Sequence, residues 1–473
     1  MVYTYDLTVI GGGSGGLTAA RVAASLGARV LLIDKEKLGG DCLNYGCVPS
    51  KSLIHVARVV KQAKDAAQFG LTPADLHVDI GRVSEHIQGV IRRVGENEQV
   101  YTAGVTVKFG AVEFLSPTAL TLDGERFTSR GTLIAAGSHP RVSEIDGLAE
   151  TGYVTNEDVF NLTELPRSLI VVGGGPVGVE LAQAFSRLGV QVTIIQGPER
   201  ILPREDPEVS ALLSDVLTSE GIAVITNARF VRAERNGGKK VVMAKRGDQW
   251  LSFEADEILI ALGRQPNVSG LNLEAVGVKY DQQGIAVDDY LQTSTPNILA
   301  IGDVIGGYQF SHVAAYQAGV AARNALLPVG KKKVDYRVVP WCTFTDPEVA
   351  RVGLTPGEAG RRYRQTRVVK YPWEEIDRAQ AEGATTGFIK FVLAGKKDEI
   401  VGVHIVGSNA GELLGEMALA MRNHLTLSDI YNTIHVYPTL ATGLAQTAFE
   451  GYLQGATARR NRRMVSAILK WRR

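Results

Sequence analysis

Cys42 and Cys47 stand five positions apart in Gly39-Gly40-Asp41-Cys42-Leu43-Asn44-Tyr45-Gly46-Cys47-Val48-Pro49-Ser50-Lys51, and only one other cysteine occurs in the 473 residues. Two thiols this close can open and close as a disulfide, provided the backbone lets them meet. Residues i and i+5 of one regular helix point to different sides, beyond the Cα separation of about 7 Å that a disulfide tolerates. The spacing therefore predicts Cys42 in a turn, supplied by Asn44 and Gly46, and a helix beginning near Cys47. Pro49 then falls in the first helical turn, where its missing N–H costs nothing. Leu53, Val56, Ala57 and Val60 follow on one helical face. A thiol at a helix N-terminus feels the positive end of the helix dipole, which favours the thiolate. A structural disulfide needs an oxidising compartment that nothing in the chain points to. A zinc site needs four ligands, and the chain has neither a second cysteine pair nor HxxxH spacing. The pair reads as a redox-active dithiol, with no metal site.

Such a dithiol needs an electron source, and the elements around it supply one. Leu7 to Ile10 is a short apolar run of the buried parallel-strand kind. It leads into Gly11-Gly12-Gly13-Ser14-Gly15-Gly16, a helical stretch ending near Gly27, and a strand from Arg29 to Ile33 that ends at Asp34. Gly11, Gly13 and Gly16 suit the tight turn, the close approach of a pyrophosphate and helix–strand packing, and Asp34 can accept from ribose hydroxyls. The unit repeats: VIGGGSGGLTAARVAASLGARVLLID and VVGGGPVGVELAQAFSRLGVQVTIIQ align without a gap at an offset of 162, placing Gly173, Gly175 and Gly178 on Gly11, Gly13 and Gly16. Two dinucleotide folds in one chain allow a hydride to pass between two dinucleotides.

Together these motifs resemble the flavoprotein disulfide reductases, a family that includes dihydrolipoamide dehydrogenase, glutathione reductase and mercuric reductase, over essentially the whole chain. The resemblance implies an α/β protein with two Rossmann-like dinucleotide-binding domains and a C-terminal α/β dimerisation domain. It divides the chain into 1–148 for FAD, 149–270 for NAD(P)H, 271–334 for a central FAD-binding part and 335–473 for the interface of a homodimer. Thr295-Pro296-Asn297-Ile298-Leu299-Ala300-Ile301-Gly302-Asp303 is similar to the family's second FAD motif, in which the aspartate binds the ribityl chain. Leu133 to Gly137 and Leu259 to Arg264 resemble the strands that close the two nucleotide domains, with Ala136 where threonine is usual. Ser14, Lys35, Gly40, Gly137, Gly263, Arg264, Gly302 and Asp303 are accordingly assigned to the cofactors, and Lys51 and Glu180 to an ion pair beside the flavin. The resemblance makes Cys47 the thiol against the flavin and Cys42 the interchange thiol. Hydride would pass from NAD(P)H through FAD to the Cys42–Cys47 disulfide and on to a disulfide or soft electrophile. The alternatives are direct reduction of a metal ion or quinone, and dihydrolipoamide dehydrogenase activity.

Two departures shape that expectation. The family places a histidine before Pro-Thr and a glutamate four residues after that proline, an acid–base pair serving the thiols of the other subunit. Here the segment reads His435-Val436-Tyr437-Pro438-Thr439-Leu440-Ala441-Thr442. A phenol with pKa near 10 is a poor general base at neutral pH, whereas an imidazole near 6.5 is well placed. Tyr437 is expected to touch substrate, and His435, two residues back on the same side of an extended segment, is the candidate replacement base. Mercuric reductases resemble the chain in having this tyrosine, but their C-terminal cysteine pair has no counterpart after Cys342. The other departure is Gln196 where NAD-preferring relatives carry an acid. It does not repel a 2′-phosphate, so the nucleotide remains open with a lean to NADPH.

The composition, 45% hydrophobic and 21% charged with 52 glycines, is that of an ordinary soluble α/β enzyme. A net charge of +1 recruits no nucleic acid. No signal peptide or membrane span is read, so the expected location is the cytoplasm. The last fifteen residues carry seven Arg or Lys and no acid, with Met464, Val465, Ile468 and Leu469 on one helical stripe. A solvated or dimer-packed helix is one reading of this tail, and a weak contact with an anionic membrane surface is the other.

Overall fold

The computed structural model describes residues 3–73, 76–96, 101–142 and 144–472. Its contacts divide the chain into two compact units, residues 1–197 with 228–335, and residues 198–227 with 336–473.

The first unit is built on a sheet whose spatial order is Val105–Phe109, Val30–Asp34, Tyr5–Ile10, Glu125–Ile134, Ala119–Leu122, Val112–Ser116, with Ile298–Ala300 also pairing the long fourth strand. The pairings Leu7 with Val30, Leu7 with Gly131 and Ile298 with Thr132 are parallel. Residues 7–10, 30–33 and 298–300 are buried throughout, which is why these strands read as apolar runs rather than alternations. The first strand delivers Gly11 at φ +104°, and a Cβ there would lie 2.2 Å from the carbonyl oxygen of Ala135. A Cβ at Gly16 would lie 1.7 Å from the oxygen of Gly11. Only glycine lets the helix Ser14–Ser25 start this tightly against the strand end.

The repeat read from the sequence is a repeat in space. Ser168–Val172, Pro176–Arg187 and Gln191–Ile195 form the second strand–helix–strand, with Glu257–Ile260 parallel on the other edge of its first strand. Gly173 adopts φ +116°, and its Cβ would lie 2.2 Å from the oxygen of Ala261. An antiparallel ribbon, Arg229–Asn236, Lys239–Arg246 and Gln249–Ala255, is inserted before the closing strand.

The second unit carries an antiparallel sheet in the order Pro340–Thr343, Glu348–Gly353, Glu399–Gly407, Phe388–Ala394, Thr366–Pro372. Helices Ala410–Arg422 and Thr442–Gln454 cover one face through Leu414, Met417, Leu444 and Ala448, with Trp373 and Phe391 fully buried beneath them. Ionisable residues run across this sheet in register: Arg351 opposes His404, His404 opposes Lys390, and Lys390 opposes Lys370. Burial lowers His404 to about 4 and leaves it neutral, so the two lysines are the like charges that face each other. Like charges facing each other across strands repel. The segment Glu205-Asp206-Pro207-Glu208 relieves them. Lys390 Nζ donates to Asp206 at 2.8 Å and lies 2.6 Å from Glu208, Lys370 pairs with Glu208, and Arg351 pairs with Glu358 and hydrogen-bonds the Arg204 carbonyl.

The chain ends in the helix Ala456–Arg472, and Arg473 lies outside the described residues. Ala458 is buried and Asn461 donates to the Tyr452 hydroxyl at 3.1 Å. Met464, Val465, Ile468, Leu469 and Trp471 are all exposed.

Candidate active site

The turn expected at Cys42 is a single helical turn, Gly40–Asn44, and the long helix follows at Cys47–Lys64. Asn44 Nδ2 donates back to the carbonyls of Gly40 and Leu38 at 2.8 and 3.0 Å, fastening the short helix to its own start. Tyr45 then leaves the helical region, and Asp41 folds over Gly46, where a Cβ would meet Asp41 Oδ2 at 2.7 Å. The break between the two helices brings together thiols that one continuous helix would separate. Both are free thiols here, Cys42 half-buried and Cys47 exposed.

The two thiols share a hydrogen bond that moves their pKa values in opposite directions. The hydrogen bond from Cys47 brings Cys42 down to about 6, against the cost of its burial, and the hydroxyls of Ser311 and Ser14 add to the effect. The same hydrogen bond and the charge on Cys42 push Cys47 up, with Lys51 opposing. Ser311, 3.7 Å from Cys47 Sγ, is the first residue of the helix Ser311–Leu326 and was not among the residues the sequence singled out. Lys51 reaches Glu180 at 2.8 Å, tying the dithiol helix to the helix of the second glycine motif, where Glu180 is buried.

The glycine motifs fit the dinucleotides expected of them. Gly13 and Gly175 cap their helices, so no capping side chain competes for the first-turn N–H groups, and a Cβ at Gly175 would meet nothing. That is the geometry in which backbone N–H groups and a helix dipole hold a pyrophosphate. Asp34 accepts from Gly12 N at 2.7 Å and from the N–H groups of Glu36 and Lys37, while Lys35 is exposed. Gln196 repeats the first of these bonds, its Oε1 accepting from Gly174 N at 2.7 Å. The amide thus replaces the acid as a strut for the turn without its charge.

Arg264, read as part of the strand closing the second nucleotide unit, is held against the first. Its guanidinium hydrogen-bonds Ser138 Oγ at 2.7 Å and lies 3.1 Å from Asp41 and 3.5 Å from Asp303. Asp303 accepts from Ser138 Oγ at 2.5 Å, and burial raises its carboxyl even so, with Ser138 and Arg264 opposing. Gly137, Gly263 and Gly302 take positive φ where strands turn into these loops, and Gly40 does so at 2.8 Å, measured from a built Cβ, from Gly13 Cα.

In the second unit, Tyr437 and His435 differ in exposure and in partner. The His435 ring is 8% exposed, with Nδ1 2.8 Å from the Thr433 carbonyl and Nε2 3.1 Å from Glu416. Tyr437 is 69% exposed and donates its hydroxyl proton to Asp377 at 2.8 Å. Thr442, in the glutamate's place, spends its hydroxyl on the Thr439 carbonyl. No group of three or more His, Cys, Asp or Glu able to hold a metal occurs among the described residues. Nor, among them, is any helix long and apolar enough to cross a membrane.

Comparison with known proteins gives the same outline. Residues 5–318 match the model of the pyridine nucleotide-disulphide oxidoreductases, and residues 339–448 match the dimerisation domain of such oxidoreductases. The chain is 35% identical over 448 residues to a mercuric reductase of Staphylococcus aureus, covering 94% of this chain and 82% of that protein. It is 38% identical over 457 residues to a dihydrolipoyl dehydrogenase of Thermus scotoductus, covering 94% and 97%. Among solved structures, the HOCl-induced flavoprotein disulfide reductase RclA from Escherichia coli superposes with a TM-score of 0.84 at 29% identity, over 93% of this chain and 99% of that one. Its Cu(II) complex gives 0.85 at 28% identity, over 94% and 99%.

Proposed function

The chain belongs to the pyridine nucleotide-disulphide oxidoreductase family, and from that premise we propose that its Cys42–Cys47 pair delivers electrons from NAD(P)H to a thiophilic metal ion or an activated disulfide in the cytoplasm. The enzyme is a flavoprotein disulfide oxidoreductase that uses FAD and NAD(P)H, with a dimerisation domain that makes it a homodimer. Bound FAD supplies the two-electron link between the nicotinamide and the disulfide. The chain's own residues do the rest. The glycine turns hold the two pyrophosphates, and Lys51 with Glu180 sets a fixed charge pair beside the dithiol helix. Cys42 is the sulfur that meets the acceptor, as a thiolate at neutral pH.

The observation that carries this reading is the break between the helices Gly40–Asn44 and Cys47–Lys64, which brings the two thiols within hydrogen-bond reach, and the hydrogen bond from Cys47 lowers Cys42 to about 6. A thiolate needs no external base to attack or to bind a soft cation. That suits a chain with tyrosine where the family's lipoamide- and glutathione-reducing members keep a histidine. It disfavours lipoamide and glutathione disulfide, whose leaving thiols must be reprotonated by an acid that Tyr437 replaces poorly. Relatives named as mercuric reductases and a structural relative solved with Cu(II) favour the metal-ion branch.

The test is anaerobic titration with NADPH, followed by a panel of acceptors: Hg(II), Cu(II), an aromatic disulfide, lipoamide, glutathione disulfide and a quinone. A long-wavelength thiolate–flavin band, lost on adding Hg(II) or the aromatic disulfide, is the expected result. Cys42→Ser retains FAD and loses turnover of these acceptors. Turnover of every acceptor surviving in Cys42→Ser overturns the reading in favour of direct reduction from the flavin.

The basic terminal helix carries a weaker proposal, contact with an anionic membrane surface. Its apolar residues Met464, Val465, Ile468, Leu469 and Trp471 are exposed on one side and Arg459, Arg463 and Lys470 lie opposite them, the arrangement of a helix that lies in a lipid interface.

A further inference from the structure

The turn that carries Cys42 is gripped from outside through one side chain, that of Asp41. Its Oδ2 lies over Gly46, from which the helix Cys47–Lys64 starts, and a built Cβ there would meet it at 2.7 Å. Its Oδ1 lies 3.1 Å from the guanidinium of Arg264 and accepts from Asn156 Nδ2 at 3.3 Å. Asn156 is buried, and the same nitrogen donates to the Tyr45 carbonyl at 3.0 Å, just past the other end of the short helix. Both grips hang from one strand, Glu257–Ile260, on the edge of the second dinucleotide fold. Val154, two residues before Asn156, donates to the Ile258 carbonyl and accepts from Ile260 N, both at 2.9 Å. On the other side, the Ala261 carbonyl just after the strand fills the space of a Cβ at Gly173, at 2.2 Å. Arg264 follows three positions after Ala261. The glycine turn of the second nucleotide site and the Cys42 turn are thus joined through one strand end.

We propose that Asp41 is the positioning residue through which the second nucleotide site and the dithiol sense each other, so that an occupied nucleotide site favours the open dithiol over the disulfide. The contacts of Asp41 belong to the dithiol state, in which both cysteines are free. Closing the pair breaks two S–H bonds and forms one S–S bond of about 2.05 Å, so Cys42 must move toward Cys47. Asp41 moves with its neighbour, whereas Arg264 and Asn156 lie outside the turn. Arg264 is also held by Ser138, through Nε to Oγ at 2.7 Å and Nη2 to the carbonyl at 2.9 Å, which keeps it from following. With the second glycine turn occupied, the strand that carries both grips is fixed, and the movement costs more. Coupling of this kind is reciprocal: the factor by which nucleotide shifts the dithiol equilibrium is the factor by which the dithiol tightens nucleotide binding. The coupling rests on the dithiol and the second nucleotide site, and is independent of the acceptor proposed above.

The experiment uses the FAD-loaded full-length protein without metal ion or acceptor turnover. The probes are the 3-aminopyridine analogues of NAD and NADP, whose rings accept no hydride. Wild type, Asp41→Asn, Asp41→Glu, Arg264→Met and the Asp41→Asn/Arg264→Met double variant are equilibrated under argon with graded ratios of reduced and oxidised dithiothreitol. Two electrons and two protons pass from each enzyme dithiol that closes to the disulfide of the reagent. Acid quenching, alkylation and mass spectrometry then give the fraction of open dithiol. A saturating analogue shifts the wild-type equilibrium toward the dithiol by about 5-fold or more, and its Kd is lower for the reduced enzyme by the same factor. In Asp41→Asn both effects fall short of that range, to below about 2-fold. Asp41→Glu restores part of the shift, which a variant that only disturbed packing would not. The double variant matches Asp41→Asn alone, because Arg264 reaches the dithiol only through Asp41. FAD content and dimer mass verify that each variant is folded. No shift in the wild type with the analogue that binds, a shift toward the disulfide, a wild-type shift in Asp41→Asn, or a further loss in the double variant each overturns the proposal. Failure of the proposed acceptor route shows separately, as turnover that survives Cys42→Ser.

Discussion

A cysteine thiol in water loses its proton near pH 8.5, and the environment of Cys42 brings that down to about 6. The largest cause is the hydrogen bond from Cys47, so the two thiols titrate as a pair. After reduction by dithiothreitol, alkylation of Cys42 by iodoacetamide should rise with pH through a midpoint near 6 and level off above pH 7. The sign follows from the thiolate being the nucleophile: as pH falls through 6, reactivity is lost. In Cys47→Ala the midpoint moves back up towards that of an ordinary cysteine. A wild-type midpoint above 8 contradicts the shared hydrogen bond. At this scale much of the site was legible. Cys42, Cys47, Lys51, Glu180 and the glycines sit in short motifs whose spacing encodes their geometry. Ser311, Asp377 and the docking of Arg264 on Asp41 and Ser138 were not. Each depends on contacts between residues far apart in the chain, and none differs locally from an ordinary helix-start or loop residue.

Among the elements, the charge ladder across the second unit's sheet carries the most decisive packing. Lys390 and Asp206 are both buried, and removing Lys390 leaves Asp206 without its ion-pair partner. Breaking such a pair from one side costs about 3–5 kcal/mol, so Lys390→Met should lower unfolding stability by that order in urea. A change within about 0.5 kcal/mol would mean that the surrounding groups absorb the loss. Burial works against the Asp206 carboxylate, but the hydrogen bonds from Lys390 and from Glu208 N hold its pKa below the usual value. Its contribution is therefore present above the unfolded carboxyl's pKa and disappears as pH falls through the folded one. The ladder was invisible in the sequence. A lysine, a histidine and an arginine on three strands look like alternating polar positions until the register sets them side by side.

On the scale of the whole chain, the repeat at an offset of 162 declared two dinucleotide units, and the three-dimensional pairing reproduces it strand for strand. Backbone geometry of this kind is legible because glycine is required wherever another atom occupies the space of a Cβ. The partner of His435 was not legible, since Glu416 lies nineteen residues away in the chain. The terminal helix is the part that the family's matched regions leave over, as the second of them ends at residue 448. Flotation with vesicles containing about one-third anionic lipid should carry the full-length protein upward at low salt and release it as salt screens the arginines. The chain stopped at Ala458 should stay at the bottom. Equal behaviour of the two removes the membrane proposal.

The scarcity of cysteine has an analytical consequence. Cys342, half-buried with its sulfur directed to the Thr343 carbonyl, has no neighbouring thiol in sequence. In denaturant, a thiol reagent should therefore count one sulfhydryl per chain in the oxidised enzyme and three in the reduced one. The difference of two belongs wholly to Cys42 and Cys47. Quenching samples at intervals during turnover would then read the oxidation state of the dithiol directly, without a label or an engineered variant, and independently of anything the flavin's colour reports.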